Sequence, residues 1–485
     1  MKNFGLIPYV GLGLCCLTAN ASEKEKQTND KPNIIYILAD DLGYGVVGCY
    51  GQTMIKTPNI DKLATEGMLF TQHYAGCTVC APSRASLMTG LHTGHTPIRG
   101  NKSAPNSEGQ YPMPADTYTV GKMLREGGYA TGCFGKWGLG YPYSEGAPEN
   151  QGFDVFFGYN CQGLAHSYYP YYLWNNTDTL WLKGNEGTKT GEYSQDIIHQ
   201  KALQFIKDNK NRNFFACLTY ILPHAELVNP KDSIFDMYKD EFVETPFEGI
   251  DENNTRYKRG GYISNPHPKA DFAAMVTRLD AYVGQVVSLI KELGLDENTL
   301  VIFTSDNGPH KESGADPAFF KSSGPLRGIK RDLYEGGIRV PFIARYPGKI
   351  KAGSVSDHVC AFWDMMPTFA ELTGTKAADN TDGVSFLPTL FGKPGQKEHE
   401  FLYWEFHEGT GKMAVRKGDW KAIRLNIATP EKLRFELYDL SKDLPEKNNV
   451  AGQYPQIASE LNKIMDEAHV PSPVWNFGLG KISKK

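Results

Sequence analysis

Unbroken apolar runs that stop abruptly on polar pairs are the first organising pattern of the chain. Asn33-Ile34-Ile35-Tyr36-Ile37-Leu38-Ala39 runs directly into Asp40-Asp41, and Asn298-Thr299-Leu300-Val301-Ile302-Phe303-Thr304-Ser305 runs into Asp306-Asn307-Gly308. A third run, Phe214 to Leu222, stops at Pro223-His224. Strands with no polar alternation are covered on both faces, as in α/β folds, whose ligands collect beyond the carboxyl ends of the strands. Between these runs the period changes to that of a helix. Thr57 to Ala64 reads as a capped helix leading to Gly67, and Thr119 to Glu126 as another stopping at Gly127-Gly128. Asp271 to Leu293 places Phe272, Met275, Val276, Leu279, Val283, Val286, Leu289 and Ile290 at helical spacing before Gly294. Strand, ligand turn and helix in repeated order predict a layered α/β core.

The pattern changes near Thr373-Gly374-Thr375-Lys376. Beyond it come short runs separated by turns, at Phe401 to Trp404, Lys412 to Arg416 and Phe435 to Tyr438, and a last helix over about Pro455 to Ala468. These predict a smaller α+β domain with an antiparallel sheet, packed on the core. At the other end, one Lys, a short apolar run and Ala19-Asn20-Ala21 form the pattern of a secretory signal peptide. The expected division is therefore 1–21 signal peptide, 22–31 linker, 32–375 catalytic core and 376–485 C-terminal domain. The expected location is periplasmic or secreted. A surface lipoprotein anchored through Cys15 or Cys16 is the lesser alternative, because Leu14 is a poor residue before that type of cleavage. No later apolar stretch reaches the ~20 residues of a membrane span.

Composition narrows the function without naming it. In 485 residues, 51 Lys and Arg oppose 55 Asp and Glu, and apolar residues make up 40%, which excludes wholesale disorder and a polybasic nucleic-acid tail. No nucleic-acid partner is expected. Beyond the signal segment the cysteines are Cys49, Cys77, Cys80, Cys133, Cys161, Cys217 and Cys360, an odd number with no zinc-type spacing. Asp40-Asp41 and Asp306-Asn307 each read alone as a turn or a helix cap. Together, after two buried strands, they offer carboxylate and amide oxygens to a hard cation, Ca²⁺ or Mg²⁺ rather than zinc.

The segment Cys80-Ala81-Pro82-Ser83-Arg84-Ala85-Ser86-Leu87-Met88-Thr89-Gly90 resembles the signature of the Cys-type, formylglycine-dependent sulfatases, and the likeness extends from Asn33 to the region of Asp439. The resemblance implies an alkaline-phosphatase-like layered mixed sheet flanked by helices. It implies a maturation enzyme that oxidises Cys80 to Cα-formylglycine, whose hydrated aldehyde attacks the sulfur of a sulfate ester and then collapses to expel sulfate. It further implies one Ca²⁺, ahead of Mg²⁺, held by Asp40, Asp41, Asp306, Asn307 and modified Cys80. Arg84 would hold the formylglycine hydroxyl, and Lys136 and Lys330 would contact the sulfate. His224 would be the general acid at the leaving oxygen. His310 would face the sulfate or the leaving group.

One position departs from the family pattern: Gly138 stands where many members carry His, so its task needs another group, with His310 the candidate. Gly138 together with the patterns Asp306 to Lys311 and Leu326 to Pro341 resembles bacterial sulfatases acting on the 4-O-sulfate of galactose or N-acetylgalactosamine. Action at the 6-O, 3-O or 2-O position is the alternative, as are a phosphatase or phosphodiesterase of the same superfamily and a non-catalytic glycan-binding protein. The expected partner is a sulfated glycan. Trp404, Glu405, Arg327 and Tyr168 to Tyr172 are candidates for a sugar platform, and Asp332 and Glu335 for sugar hydroxyls or for orienting Lys330.

Overall fold

Each apolar run of the central strands divides its side chains between two cores. In a computed structural model describing residues 1–3, 5, 31–105, 107–254, 256 and 258–477, strand β1 (Asn33–Ala39) is buried along its whole length. Its Ile35, Ile37 and Ala39 join one hydrophobic core, while Ile34, Tyr36 and Leu38 join another. Alternate residues of a strand point to opposite faces, so a run without polar residues requires a layer on each side. The helices Ser194–Asp208 and Pro268–Glu292 and helix α1 (Pro58–Glu66) cover the first face. Helix α2 (Cys80–Thr89) and the helices Val120–Glu126 and Met365–Thr373 cover the second. The signal-peptide and linker residues up to Asp30 fall almost wholly outside the described residues, and Lys31–Lys485 form one compact unit.

The other strands of the main sheet are β2 (Met68–Phe70), β4 (Ala130–Lys136), β5 (Val155–Tyr159), β6 (Tyr172–Asn175), β7 (Asp178–Trp181), β8 (Phe214–Thr219), β9 (Thr299–Ser305), β10 (Phe342–Arg345) and β11 (Ser354–Ser356). A short β3 (His73–Tyr74) pairs separately with β12 (Cys360–Ala361). The ten-stranded order is β11-β2-β10-β9-β1-β8-β4-β5-β6-β7. Its centre, β9-β1-β8-β4-β5, is parallel, and antiparallel pairs flank it on both sides. This is the layered mixed α/β architecture that the sequence predicts.

The predicted elements appear with small shifts. The helix read from Asp271 begins at Pro268, and β8 ends at Thr219, with Tyr220 to Leu222 buried but outside the ladder. The hairpin β6–β7 and strands β2, β3, β4, β5, β10, β11 and β12 are not read from the sequence: most are short or lie at the sheet edge, and the central β4 carries Gly132 and Gly135 inside its run.

The C-terminal strands β13 (Leu402–Phe406), β14 (Lys412–Lys417), β15 (Trp420–Leu425) and β16 (Arg434–Asp439) form an antiparallel sheet in chain order. The helix Pro455–Glu467 packs Leu461 and Met465 against one face, and Trp404 on the other face meets Tyr74 and Trp363. A buried charge cluster lies at this junction. Lys421 Nζ is 2.9 Å from Glu335 and 3.0 Å from Glu446, and Glu335 also accepts from the Tyr74 hydroxyl at 2.7 Å and pairs with Arg339 at 3.2 Å. Burial alone would raise the Glu335 carboxyl, but Lys421 and Arg339 outweigh it and hold the group below the usual carboxylate range. Removing one partner of such a cluster leaves buried charge uncompensated. Lys421→Met is expected to cost about 3–5 kcal/mol in denaturant unfolding, and adding Glu446→Gln in the same chain should recover part of the loss.

Candidate active site

The parallel strands at the sheet centre end side by side, and each delivers part of one buried cluster. Strand β1 runs into Asp40-Asp41, where a regular strand would point the two carboxylates apart. Asp41 instead adopts φ 61°, and ligand atoms of Asp40 and Asp41 come within 4.8 Å of those of Cys80 and His224. Strand β9 delivers Asp306, whose Oδ1 accepts from the Asp41 backbone N at 3.0 Å. Strand β4 ends on Lys136, and the segment after β8 carries His224.

Cys80 is the first residue of α2, and its Sγ donates to Asp40 Oδ1 at 3.3 Å. Four residues on, Arg84 shares that helix face. Its Nε and Nη2 donate to Asp306 Oδ2 at 3.0 and 2.9 Å, Nη2 is 3.5 Å from Asp40, and Nη1 donates to the Lys136 carbonyl. Ser83 Oγ also reaches Asp306, donating to its backbone oxygen at 2.5 Å. The signature helix is thereby fastened to the end of β9.

Three carboxylates, Asp40, Asp41 and Asp306, face three buried cations, Arg84, Lys136 and Lys330. Lys136 Nζ is 2.6 Å from Asp40, and Lys330 Nζ is 2.7 Å from Asp41 and 3.0 Å from His224 Nε2. Burial works against charge on both lysines, but the adjacent carboxylates prevail and keep them protonated. Burial and the Asp40 charge hold the Cys80 thiol well above its usual range, so the unmodified residue is a poor nucleophile. Burial and the surrounding Lys330 and Lys136 hold His224 well below its usual range. Its Nδ1–H donates to the Ala225 carbonyl, which turns the Nε2 lone pair toward Lys330. His224 in this structure is thus a neutral acceptor, where the sequence reading expected a protonated imidazole.

The donor set fits a hard divalent cation. Asn307 donates Nδ2 to Asp41 at 2.7 Å and to the Gly308 carbonyl at 2.9 Å, yet its Oδ1 is buried with no hydrogen-bond partner. An orphaned amide oxygen on a residue bonded to the Asp41 carboxylate is a ligand of the kind a hard cation such as Ca²⁺ takes, and beside it the buried Asp40, Asp41, Cys80 and His224 bring ligand atoms within 4.8 Å of one another.

Around this centre His310 keeps a ligand atom within 4.8 Å of those of Asp41 and Glu312. His310 stacks behind His224, with ring centroids 5.6 Å apart, and both its nitrogens are engaged, Nε2 with the Pro223 carbonyl at 3.1 Å and Nδ1 with the Glu312 backbone N at 3.2 Å. The side chain over Gly138 is Gln162. A Cβ at position 138 would lie 2.3 Å from Gln162 Nε2, and that nitrogen is buried without a partner. His166, stacked on His224 at 4.9 Å, is a further neighbour that the sequence reading missed. Gly138 signalled a missing group without pointing to Gln162, and nothing local points to His166.

Of the sugar-platform candidates, Trp404 and Glu405 are fully buried. Trp404 donates Nε1 to the Ala75 carbonyl, and Glu405 is bound by Arg99, His407 and His469. Arg327 lies over the Tyr334 ring at 3.8 Å and donates to Tyr438. Glu335 belongs to the buried junction, and Asp332 pairs with Lys412 at 3.0 Å. Tyr168 and Tyr169 are buried, while Tyr171 and Tyr172 face a cavity.

Two outcomes test this geometry. In chelator-treated protein, Ca²⁺ added at 100 times its Kd should stabilise the fold by about 2.7 kcal/mol, seen as a raised Tm, and Asn307→Ala should weaken that gain. Gln162→Leu keeps the volume and removes the donor, so kcat/KM should fall about tenfold or more with Tm unchanged. An unchanged rate would remove Gln162 from the site.

Comparison with known proteins agrees with the geometry. The family model described as Sulfatase matches residues 32–375, and that of the N-sulphoglucosamine sulphohydrolase C-terminal region matches 329–470. The N-acetylgalactosamine-6-O-sulfatase of Bacteroides thetaiotaomicron is 30% identical, over 96% of this chain and 99% of its own. The N-acetylgalactosamine-6-sulfatase of Canis lupus familiaris is 33% identical, over 81% of this chain and 71% of its own. Among solved structures, Ps i-CgsB in complex with k-i-k-neocarrahexaose superposes with a TM-score of 0.75 at 28% identity, covering 93% of this chain and 96% of that one. With the signature cysteine, its arginine and the carboxylates assembled where the central strands end, the chain belongs to the sulfatase family and is a sulfuric ester hydrolase of the formylglycine type.

Proposed function

We propose that the protein releases the 6-O-sulfate of a galacto-configured sugar, N-acetylgalactosamine first, from a glycan. The observation that carries the position is the 30% identity to a bacterial N-acetylgalactosamine-6-O-sulfatase over nearly the full length of both chains. The dog enzyme, named for the same sugar and position, supports it. The sequence reading preferred the 4-O-sulfate on the strength of Gly138 and two loop patterns, and that preference yields to the 6-O alternative. The neocarrahexaose bound to Ps i-CgsB favours a carbohydrate ligand at this kind of site.

The residues suggest how the work is divided. Bound Ca²⁺ and the hydrated aldehyde of formylglycine would supply, respectively, charge neutralisation and the attacking oxygen. Lys136 and Lys330, both buried and protonated, flank the cluster and bind the sulfate oxygens. Arg84 fixes the first turn of α2 against Asp306 and so orients residue 80. Asp40 Oδ1 accepts from the Sγ position at 3.3 Å and so orients residue 80. Lys330 Nζ donates to His224 Nε2 at 3.0 Å, and a proton passed from Lys330 to His224 would give the imidazolium that protonates the leaving oxygen. An activated aryl sulfate needs no such proton, so His224→Ala should slow sugar sulfates far more than aryl sulfates.

The direct test is release of free sulfate by matured protein from defined saccharides sulfated at the 2-, 3-, 4-, 6- and N-positions. Release should be fastest from N-acetylgalactosamine 6-sulfate. Release from the 4-sulfated sugar with none from the 6-sulfated one would overturn the 6-O assignment in favour of the 4-O position.

A further inference from the structure

Beyond Gln162 the wall of the site opens into a cavity of about 550 Å³. Cys161 and Gly163, on either side of Gln162, line it, as does Gln110, whose Oε1 accepts from the Gln162 backbone N at 2.8 Å. Gln162, between these two lining residues, itself stands over Gly138, two residues past Lys136, so the segment that lines the cavity also packs on the segment that carries Lys136. Its outer wall is the hairpin β6–β7, in which Tyr172 and Trp181 are direct cross-strand partners with rings 5.2 Å apart.

Trp181 is 62% exposed. Its open face lies at the cavity mouth, and aromatic faces suit sugar rings. The cavity carries charge of both signs. Glu108 accepts from Trp174 Nε1 at 2.8 Å and from the Tyr172 hydroxyl. Lys258, whose ammonium donates to the carbonyls of Asn185 and Lys189, and Arg259 also line it. Arg259 is exposed, and among the described residues its guanidinium makes no ion pair. A planar cationic fork next to an open aromatic pair suits a sugar that carries an anionic group.

We propose that this cavity is the subsite for an acidic sugar adjoining the one that carries the scissile sulfate, with Tyr172 and Trp181 stacking on its ring and Arg259 binding its carboxylate or second sulfate. The inference rests on the sulfated-glycan reading above and adds a preference for what lies next to the reacting sugar.

The test uses matured enzyme and whichever sulfate position the wild type releases. Four substrates carry that sulfate: the monosaccharide alone, and disaccharides in which its neighbour is neutral, a hexuronate or a second sulfated sugar. Wild type should show a lower KM for an acidic neighbour than for the neutral one, and the two acidic arms identify which anion is preferred. Arg259→Gln should raise KM for the preferred acidic disaccharide about tenfold and leave kcat, the monosaccharide and the neutral disaccharide unchanged. Trp181→Ala should raise KM for every disaccharide but not for the monosaccharide. Equal wild-type KM values for neutral and acidic neighbours, or an Arg259→Gln effect of the same size on all substrates, would overturn the subsite alone. Turnover of aryl sulfate with no sugar sulfate accepted would instead overturn the glycan reading, and the subsite with it.

Discussion

The contact of Arg84 with Asp306 is the constraint on which the site depends. It joins the first turn of α2 to the end of β9, while the same guanidinium reaches Asp40 at the end of β1 and the carbonyl of Lys136 at the end of β4. All these groups are buried. Three carboxylates this close in a medium of low dielectric would repel one another and be driven toward protonation, and burial together with Asp40 does push Asp306 up. Arg84, Lys136 and Lys330 balance them without adding any side chain that could attack sulfur. A divalent cation then leaves the centre positive, as a monoanionic sulfate ester requires.

Much of this centre was legible in the sequence because it lies at the ends of strands with an unambiguous signal. β1, β8 and β9 are continuous apolar runs, so Asp40, Asp41, Asp306 and the position of His224 followed from where each run stopped. Cys80 to Arg84 carried its own signature, and the helical spacing of Cys80 and Arg84 places both on one face. The elements that escaped are those whose burial comes from tertiary contacts. β10 has only four residues and β11 three, and their pairing with β2 is set by long-range register rather than by a local pattern.

The substrate-facing wall was the least legible part. Gln162 and His166 belong to a short segment after β5 with no periodicity, and only the folded chain brings them to Gly138 and His224. Residue type alone marks Trp404, Glu405 and Arg327 as suited to sugar binding. The fold spends Trp404, Glu405 and Arg327 on the junction with the C-terminal sheet, and leaves Tyr172 and Trp181 open at the sheet edge. Composition could not separate these two uses, because an aromatic side chain packs a core and stacks on a sugar through the same face.

The central claim is that Cys80 becomes the nucleophile only after oxidation, since burial and Asp40 keep its thiol protonated. Mass analysis of the peptide containing residue 80, across preparations made with and without a formylglycine-generating enzyme, tests this most directly when paired with sulfate release from the same samples. Turnover should rise in proportion to the fraction of Cys80 converted to formylglycine and vanish in Cys80→Ala. Full turnover from protein whose residue 80 is entirely unmodified cysteine would contradict the account.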